Sequence, residues 1–300
     1  MGIRKKFNKN GYMILDTSYF NHYMIGRAYN VYKQHFDIPT DKEEIWKIDF
    51  SKNDQYLQIL TNCYIKGLNT LLSKYGIAKG DIIFATDCKR RNIWRMDIFP
   101  DYKISRFMND RKQSGLNKGP LFGYINTTLF PHVMKKFDFG IHVAHPYAEG
   151  DDVIAVCKDH IRELDEQMLI YVITNDSDIV QIVDKHTRIM NLEDENISKR
   201  IDKYGNLSRF LAFKIINGDR GDSIPSCFTK VKGDKVLSRG CGIKTTMKFL
   251  DNPTLLKEKF KEYPTATKKY RLNRKLIDFR CIPQIIVDAI KNDIIDKIIL

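Results

Sequence analysis

Three short runs set the pattern of the chain. Tyr12-Met-Ile-Leu15 ends at Asp16, Ile82-Ile-Phe-Ala-Thr86 ends at Asp87, and Leu169-Ile-Tyr-Val-Ile-Thr174 leads to Asp176. Each is apolar at nearly every position, and the third is also rich in β-branched residues, the signature of strands buried on both faces of a parallel sheet. The segments between them carry helical spacing. Ser18–Phe36 follows an N-cap at Thr17 or Ser18, and Gln55–Tyr75 stops at Gly76. A strand–helix–helix–strand order predicts an α/β fold, a central, mostly parallel sheet flanked by helices. Further along, Phe122–Phe137 reads as helix, Phe139–Ala144 as strand, and Asp151–Leu164 as helix. A strand at Leu169–Thr174, a short helix through Val183 and a strand at Thr187–Leu192 follow. The last third reads as mostly helical: Leu207–Asn217, a helix opened by Gly240–Thr246 and running to about Leu250, and an amphipathic Ile282–Leu300 with an apolar end. The pattern divides at about residue 206, an α/β unit over 1–206 and a helical unit over 207–300, without repeats or low-complexity linkers.

The polar punctuation of this pattern changes the picture. Glu149, Asp151, Asp152, Asp176 and Asp178 fall within thirty residues. Acids just past strand ends lie in the crevice where open α/β sheets bind ligands. With Asp16 and Asp87 they predict one convergent pocket. Crowded carboxylates raise one another's pKa and require cations. Oxygen ligands without a Cys or His set suit magnesium, with manganese as a substitute. For Asp151 and Asp152 a plainer reading stands beside this one, since acids in a first helical turn complement the helix dipole. His142 and His145 have ligand-like spacing but no cysteine partners, and read as structural.

The rest of the chain is basic, 50 Lys and Arg against 37 Asp and Glu, a net charge of +13. Acids for metal within a basic protein fit a polyphosphate partner, of which nucleic acid is the commonest large one. From Lys89 to Lys118 nine bases face three acids, with Trp94, Phe99, Tyr102 and Phe107 interleaved and Pro100 breaking any long helix. Two readings stay open here: a face for single-stranded nucleic acid, or a solvated helical insertion whose aromatics pack on the core. Gly240 and Gly242 before a helix, with Lys244, suit a phosphate but are commonly just a tight turn. Six scattered cysteines without a C-x-x-C pair point to a reducing compartment. The basic amino terminus lacks an apolar h-region, and no run is long enough to span a membrane. These features predict a soluble, cytoplasmic monomer without a membrane partner, in host cytoplasm if the source is viral.

At this point the sequence resembles the 5′-3′ exonuclease and flap endonuclease family, with the greatest likeness to its phage ribonuclease H branch of the T-even type. Ile-Leu-Asp16-Thr and Ala-Thr-Asp87-Cys-Lys resemble the first two metal aspartates. Glu149-Gly-Asp151-Asp152 resembles the family's E-x-D-D, and Asp176-Ser-Asp178 its D-x-D. Asn217-Gly-Asp219-Arg-Gly-Asp222-Ser-Ile-Pro resembles G-D-x-x-D-N-I-P, with Ser223 for the usual Asn. Gly240-Cys-Gly242-Ile-Lys244-Thr245 resembles G-I-G-x-K-T. Each motif alone is common; their arrival in family order from about Tyr12 to Asn292 carries the likeness.

The resemblance implies a PIN-like 5′ nuclease core, a helical arch at about 89–120, and a helix–three-turn–helix element at about 215–250. It implies that Asp16, Asp87, Glu149, Asp151 and Asp176 hold the tighter of two divalent ions. Asp152, Asp178, Asp219 and Asp222 would serve a second, weaker or outer-shell position. Lys103 and Arg106 would lean on the scissile phosphate. Arg90, Arg91, Arg95, Tyr102, Arg111 and Lys112 of the arch would contact DNA, as would Gly240, Gly242, Lys244 and Thr245, with K+ accompanying the latter element. The implied substrates are DNA with a 5′ flap or 5′ end and RNA·DNA hybrids such as replication primers. A sliding clamp or a single-strand-binding protein is an implied partner, and for the apolar C-terminal end packing into the core is favoured over docking on a clamp. Two departures weaken the duplex-binding element: the longer basic stretch Ser226–Arg239, and Cys241 in place of an apolar residue. The competing readings are a PIN-like ribonuclease acting on RNA, a catalytically inactive junction-binding protein, and an HAD-type phosphatase. The last is disfavoured by Asp16-Thr17-Ser18 where a D-x-D would follow the first strand.

Overall fold

The computed structural model describes residues 11–109, 115–232, 235–238 and 240–299. Five parallel strands form the central sheet: β1 (Tyr12–Asp16), β2 (Ile82–Thr86), β3 (Ile141–Ala144), β4 (Ile170–Ile173) and β5 (Thr187–Met190). Their order is β3-β2-β1-β4-β5. The chain therefore builds outward from β1 on one side, then returns to pair β4 on the other. That reversal is the switch point at which such sheets open a ligand crevice.

The helices are α1 (Thr17–His35), α2 (Lys42–Lys47), α3 (Asp54–Tyr75), α4 (Trp94–Ile98), α5 (Ile104–Asn109), α6 (Gly119–Tyr124) and α7 (Phe130–Phe137). After them come α8 (Gly150–Leu164), α9 (Leu207–Asn217), α10 (Ile243–Asp251), α11 (Pro253–Glu262), α12 (Pro264–Ile277) and α13 (Gln284–Ile299). Alternation along β1 explains the three layers, because successive side chains point to opposite faces. Met13 and Leu15 pack with Phe20 and Met24 of α1 and Leu60 and Leu68 of α3. Tyr12 and Ile14 join Ile154 of α8 and Ile290 and Ile294 of α13. At β1 both faces are buried, so the uniform apolar run is required.

Two features differ from the pattern read in sequence. The Phe122–Phe137 helix is interrupted by a wider π-turn over Ile125–Leu129. Within the region expected to be helical, Lys230–Lys232 (β6) and Lys235–Ser238 (β7) pair antiparallel as a hairpin. The last helix serves the core, as favoured: Ile286, Ile290 and Ile294 are buried beside α8 and β3. A division at residue 206 thus leaves on the C-terminal side a helix that completes the sheet's own core. The side chains of 298–300 lie outside the described residues. His142 meets Thr86 at 3.0 Å and packs edge-on to Phe130, a structural setting. All six cysteines are free. No described helix is long and apolar enough to cross a membrane.

Candidate active site

Because β2, β1 and β4 are neighbours, their ends bring Asp87, Asp16 and Asp176 to one edge of the sheet. Asp16 caps α1, accepting from the Tyr19 N–H at 3.0 Å, and takes the Thr174 hydroxyl at 2.8 Å. Asp87 accepts from Ser18 Oγ at 2.5 Å and from the Gly150 N–H at 2.6 Å, tying it to the start of α8. Asp176 accepts from the Asp178 N–H at 2.7 Å. Asp151, one residue into α8, makes no ion pair among the described residues. Burial, with Asp176 and Asp16 nearby, holds its carboxyl well above the usual range. Asp16 is pushed up to about 6 by burial and then by Asp87 and Asp176. Among the described residues no three acidic, His or Cys side chains yet enclose a point as metal ligands do. Asp16, Asp87, Asp151 and Asp176 nonetheless feel one another's charge, with Lys103 near enough to Asp151 and Arg106 near enough to Asp176 to be felt without an ion pair.

The other five acids are neutralised by bases. Glu149 caps α8 in a reciprocal box with Asp152. Asp152 is fully buried, and both its oxygens are committed: Arg95 donates to them at 2.7 and 2.8 Å, and Trp94 Nε1 at 2.9 Å. Asp152, read from sequence as a metal ligand, thus has no oxygen turned toward the acidic edge. Arg95, read as a DNA contact, is 3% exposed and also donates to Glu149 at 2.9 Å and to the Leu276 carbonyl at 2.7 Å. It joins α4, α8 and the end of α12. Burial opposes its charge, but Asp152 and Glu149 raise its pKa further still.

Tyr102, also expected to face DNA, is 3% exposed, its hydroxyl donating to Glu149 at 2.9 Å and lying 3.1 Å from Asp222. Trp94 is buried as well. The aromatics of the basic insertion described here therefore pack inward, the plainer of the two readings; the side chain of Phe107 lies outside the described residues. Lys103 is held at φ +56, a backbone conformation costly for a side-chain-bearing residue, with its N–H on the Asp222 carbonyl at 2.8 Å. Its ammonium pairs with Glu149. Arg106 pairs with Asp222 at 2.6 Å. Ser223, at φ +61, accepts from the Ser105 N–H at 3.1 Å. The base of the insertion is thus docked on the Asp219–Ile224 loop. Gly218 opens that loop at φ +73, where a Cβ would stand 2.4 Å from the Ile224 carbonyl oxygen.

Asp178 and Asp219 share Lys214, which lies 2.8 Å from Asp178. Their carboxyls respond differently. Asp178, the deeper, is pushed up to about 6 by burial. Asp219 is held below its ordinary value because Lys214 and the Asp222 and Gly221 N–H groups outweigh its burial. Lys214 escaped the sequence reading; its signal was an ammonium amid Phe213, Ile215 and Ile216, where a cation needs partners.

Beside this edge opens a cavity of about 1160 Å³, lined by Lys199, Lys203, Lys214 and Arg220 on one side and Cys241, Gly242 and Ile243 on another. Lys244 and Thr245 are exposed in the first turn of α10, whose N-cap, Gly242, offers no side-chain cap. Gly240 sits at φ +83, with Ser226 Oγ only 2.6 Å from where its Cβ would be. Arg91 is exposed and Arg90 half-buried. Arg111 and Lys112 lie outside the described residues. Lys199 and Lys203 were not singled out from sequence, since exposed lysines abound in this chain.

The family model for the 5′-3′ exonuclease N-terminal resolvase-like domain matches residues 22–209. No curated protein matches the chain. Among solved structures, bacteriophage T5 5′-exonuclease with divalent zinc bound is similar at TM-score 0.61 and 15% identity, over 95% of this chain and 98% of that one. The T5 flap endonuclease, in a pseudo-enzyme–product complex with DNA and metal ions, is similar at TM-score 0.58 and 14% identity, over 95% and 97%. At such identities these two establish a shared fold. With the family's domain matched over more than half its length, this chain belongs to the 5′-3′ exonuclease family.

Proposed function

We propose that this chain is a structure-specific 5′-3′ nuclease. It hydrolyses phosphodiester bonds near the 5′ end of duplex or flapped DNA and of RNA·DNA hybrids, with two divalent ions, as in replication primer removal. One observation carries this reading: Asp16, Asp87 and Asp176 at the ends of three adjacent parallel strands and Asp151 at the start of α8 crowd together, and none of the four makes an ion pair among the described residues. Asp16, Asp87, Asp151 and Asp176 are the ligands for the first ion. Asp178, Asp219 and Asp222 would serve the second, and Glu149 would join the ligands of the first. Asp152 instead holds Arg95 and the α8 cap. All-oxygen donors suit magnesium, with manganese as substitute. Two such ions supply a nucleophilic water at neutral pH and offset charge on the departing oxygen.

The chain's own cations have a second task. Lys103 and Arg106 pair with Glu149 and Asp222. Were those acids engaged by metal, Lys103 and Arg106 would be free for the scissile phosphate. Arg90, Arg91, Arg111 and Lys112 are left for the 5′ single strand. Gly240, Gly242, Lys244 and Thr245 take the duplex backbone, with K+ at that turn. Phosphate contacts carry little sequence information, so selection falls on substrate shape.

The test is cleavage of a 5′-labelled flap and of an RNA·DNA hybrid with magnesium, wild type against Asp176→Ala. Metal-dependent cutting of both, lost in the variant, is expected. Binding without cutting would indicate an inactive junction-binder, and cutting of single-stranded RNA alone a PIN-like ribonuclease.

A further inference from the structure

Thr174 directly follows β4 and is fully buried. Its N–H donates to the Met190 carbonyl at 3.0 Å, so its backbone is still held by the neighbouring strand. Threonine is stiff at χ1, which gives its hydroxyl a fixed aim. That hydroxyl donates to Asp16 Oδ2 at 2.8 Å and accepts from the Asp176 N–H at 3.2 Å. One side chain thereby holds the carboxyl of Asp16 and the backbone of Asp176, two acids from different strands whose charges repel. Asn175, between Thr174 and Asp176, is clamped by Arg200, which donates to its carbonyl at 2.8 Å and to its Oδ1 at 2.7 Å.

The same bonds leave Asp16 ready for a cation. Each carboxylate oxygen has two lone pairs. Oδ1 gives one to the Tyr19 N–H and Oδ2 gives one to Thr174, so one on each oxygen remains. Asp87 follows the same scheme, with the Gly150 N–H on one oxygen and Ser18 Oγ on the other. Ser18 reaches one acid of the edge; Thr174 joins two. A carboxylate whose orientation is set before the ion arrives loses less freedom on binding it. Hydrogen-bond partners behind a metal ligand are worth about 10- to 100-fold in metal affinity. The plainer reading is that a buried hydroxyl needs an acceptor and Asp16 supplies it. On that reading, removing the hydroxyl costs stability and leaves the folded protein's affinity for metal unchanged.

Resting on the nuclease reading, we propose that Thr174 is a positioning residue, its hydroxyl fixing Asp16 and Asp176 relative to each other for a divalent ion. Manganese is titrated into the DNA-free full chain, free ion being counted by its paramagnetic resonance signal, for wild type, Thr174→Val and Thr174→Ser. The first substitution keeps the shape and removes the hydroxyl; the second keeps the hydroxyl. Circular dichroism establishes that each chain is folded at the temperature of the titration. The tightest site should weaken about 10-fold or more in Thr174→Val and return to near the wild-type affinity in Thr174→Ser. Should Thr174→Val not fold, Thr174→Cys, whose thiol is only a weak donor, takes its place with a loss in the same direction expected. In flap cleavage, the magnesium concentration that gives half the maximal rate should rise by the same factor as the manganese affinity falls. Unchanged manganese affinity in the variant without the hydroxyl, or a Thr174→Ser chain that binds as weakly, would overturn the proposal while leaving the nuclease reading intact. A wild type that shows the expected manganese pattern yet cuts no flap would support the positioning role and overturn the nuclease reading alone. A wild type that binds no manganese would overturn both.

Discussion

Asp16→Asn removes one charge from the acidic edge while keeping the side chain's shape. Asparagine caps a helix about as well as aspartate, so the bond from the Tyr19 N–H survives, and its amide can still meet Thr174. What disappears is the cost of ionising a carboxyl whose pKa is pushed up to about 6, chiefly by burial. Against an ordinary value of 3.8, a rise of about two units corresponds to roughly 3 kcal/mol. Asp16 is partly exposed at the cleft, and solvent screening brings this to about 1–3 kcal/mol. The sign follows from the direction. A raised folded pKa means that the ionised form opposes folding, so the penalty is absent below about 3.8 and complete above about 6. Without metal, Asp16→Asn should therefore melt a few degrees above wild type at pH 8, the gain shrinking to nothing by pH 4. Magnesium should then raise the wild type more than the variant, because only the intact acids bind it well. Thermal unfolding by circular dichroism, with and without magnesium at several pH values, checks this. A variant no more stable than wild type at pH 8, or more stable by the same amount at every pH, would refute the idea that ionising Asp16 in this cleft costs stability.

Two further outcomes follow from the same geometry. Arg95→Met leaves Asp152 buried and uncompensated, and should cost about 3–5 kcal/mol in denaturant unfolding; a DNA-contact role alone would leave stability unchanged. Lys103→Ala should lower single-turnover cleavage of a flap by about 100-fold or more, as loss of a transition-state charge contact does, with substrate affinity changed far less.

The local pattern of this chain was legible because its physics is local. Apolar runs of strand length buried on both faces, the stop at Gly76, and acids released at strand ends are readable residue by residue, whereas the first helix is capped by Asp16 and not by Thr17 or Ser18. So is a composition that pairs an acidic crevice with basic surroundings. The antiparallel hairpin was not, since Lys230–Ser238 alternates weakly and pairs only by turning back on itself. Division of labour among the acids was likewise out of reach. Asp151 and Asp152 are adjacent in sequence and equal in chemistry, yet consecutive positions on a helix point in different directions. One faces the acidic edge, and the other meets an arginine 57 residues away. Arg95 and Tyr102 look like surface residues in a basic, aromatic segment, and only packing against α8 and α12 decides that they are interior. Sequence by itself determined which residues could bear charge at the edge of the sheet. Tertiary structure decided which of those charges are already paired, because pairing depends on contacts between segments far apart in the chain.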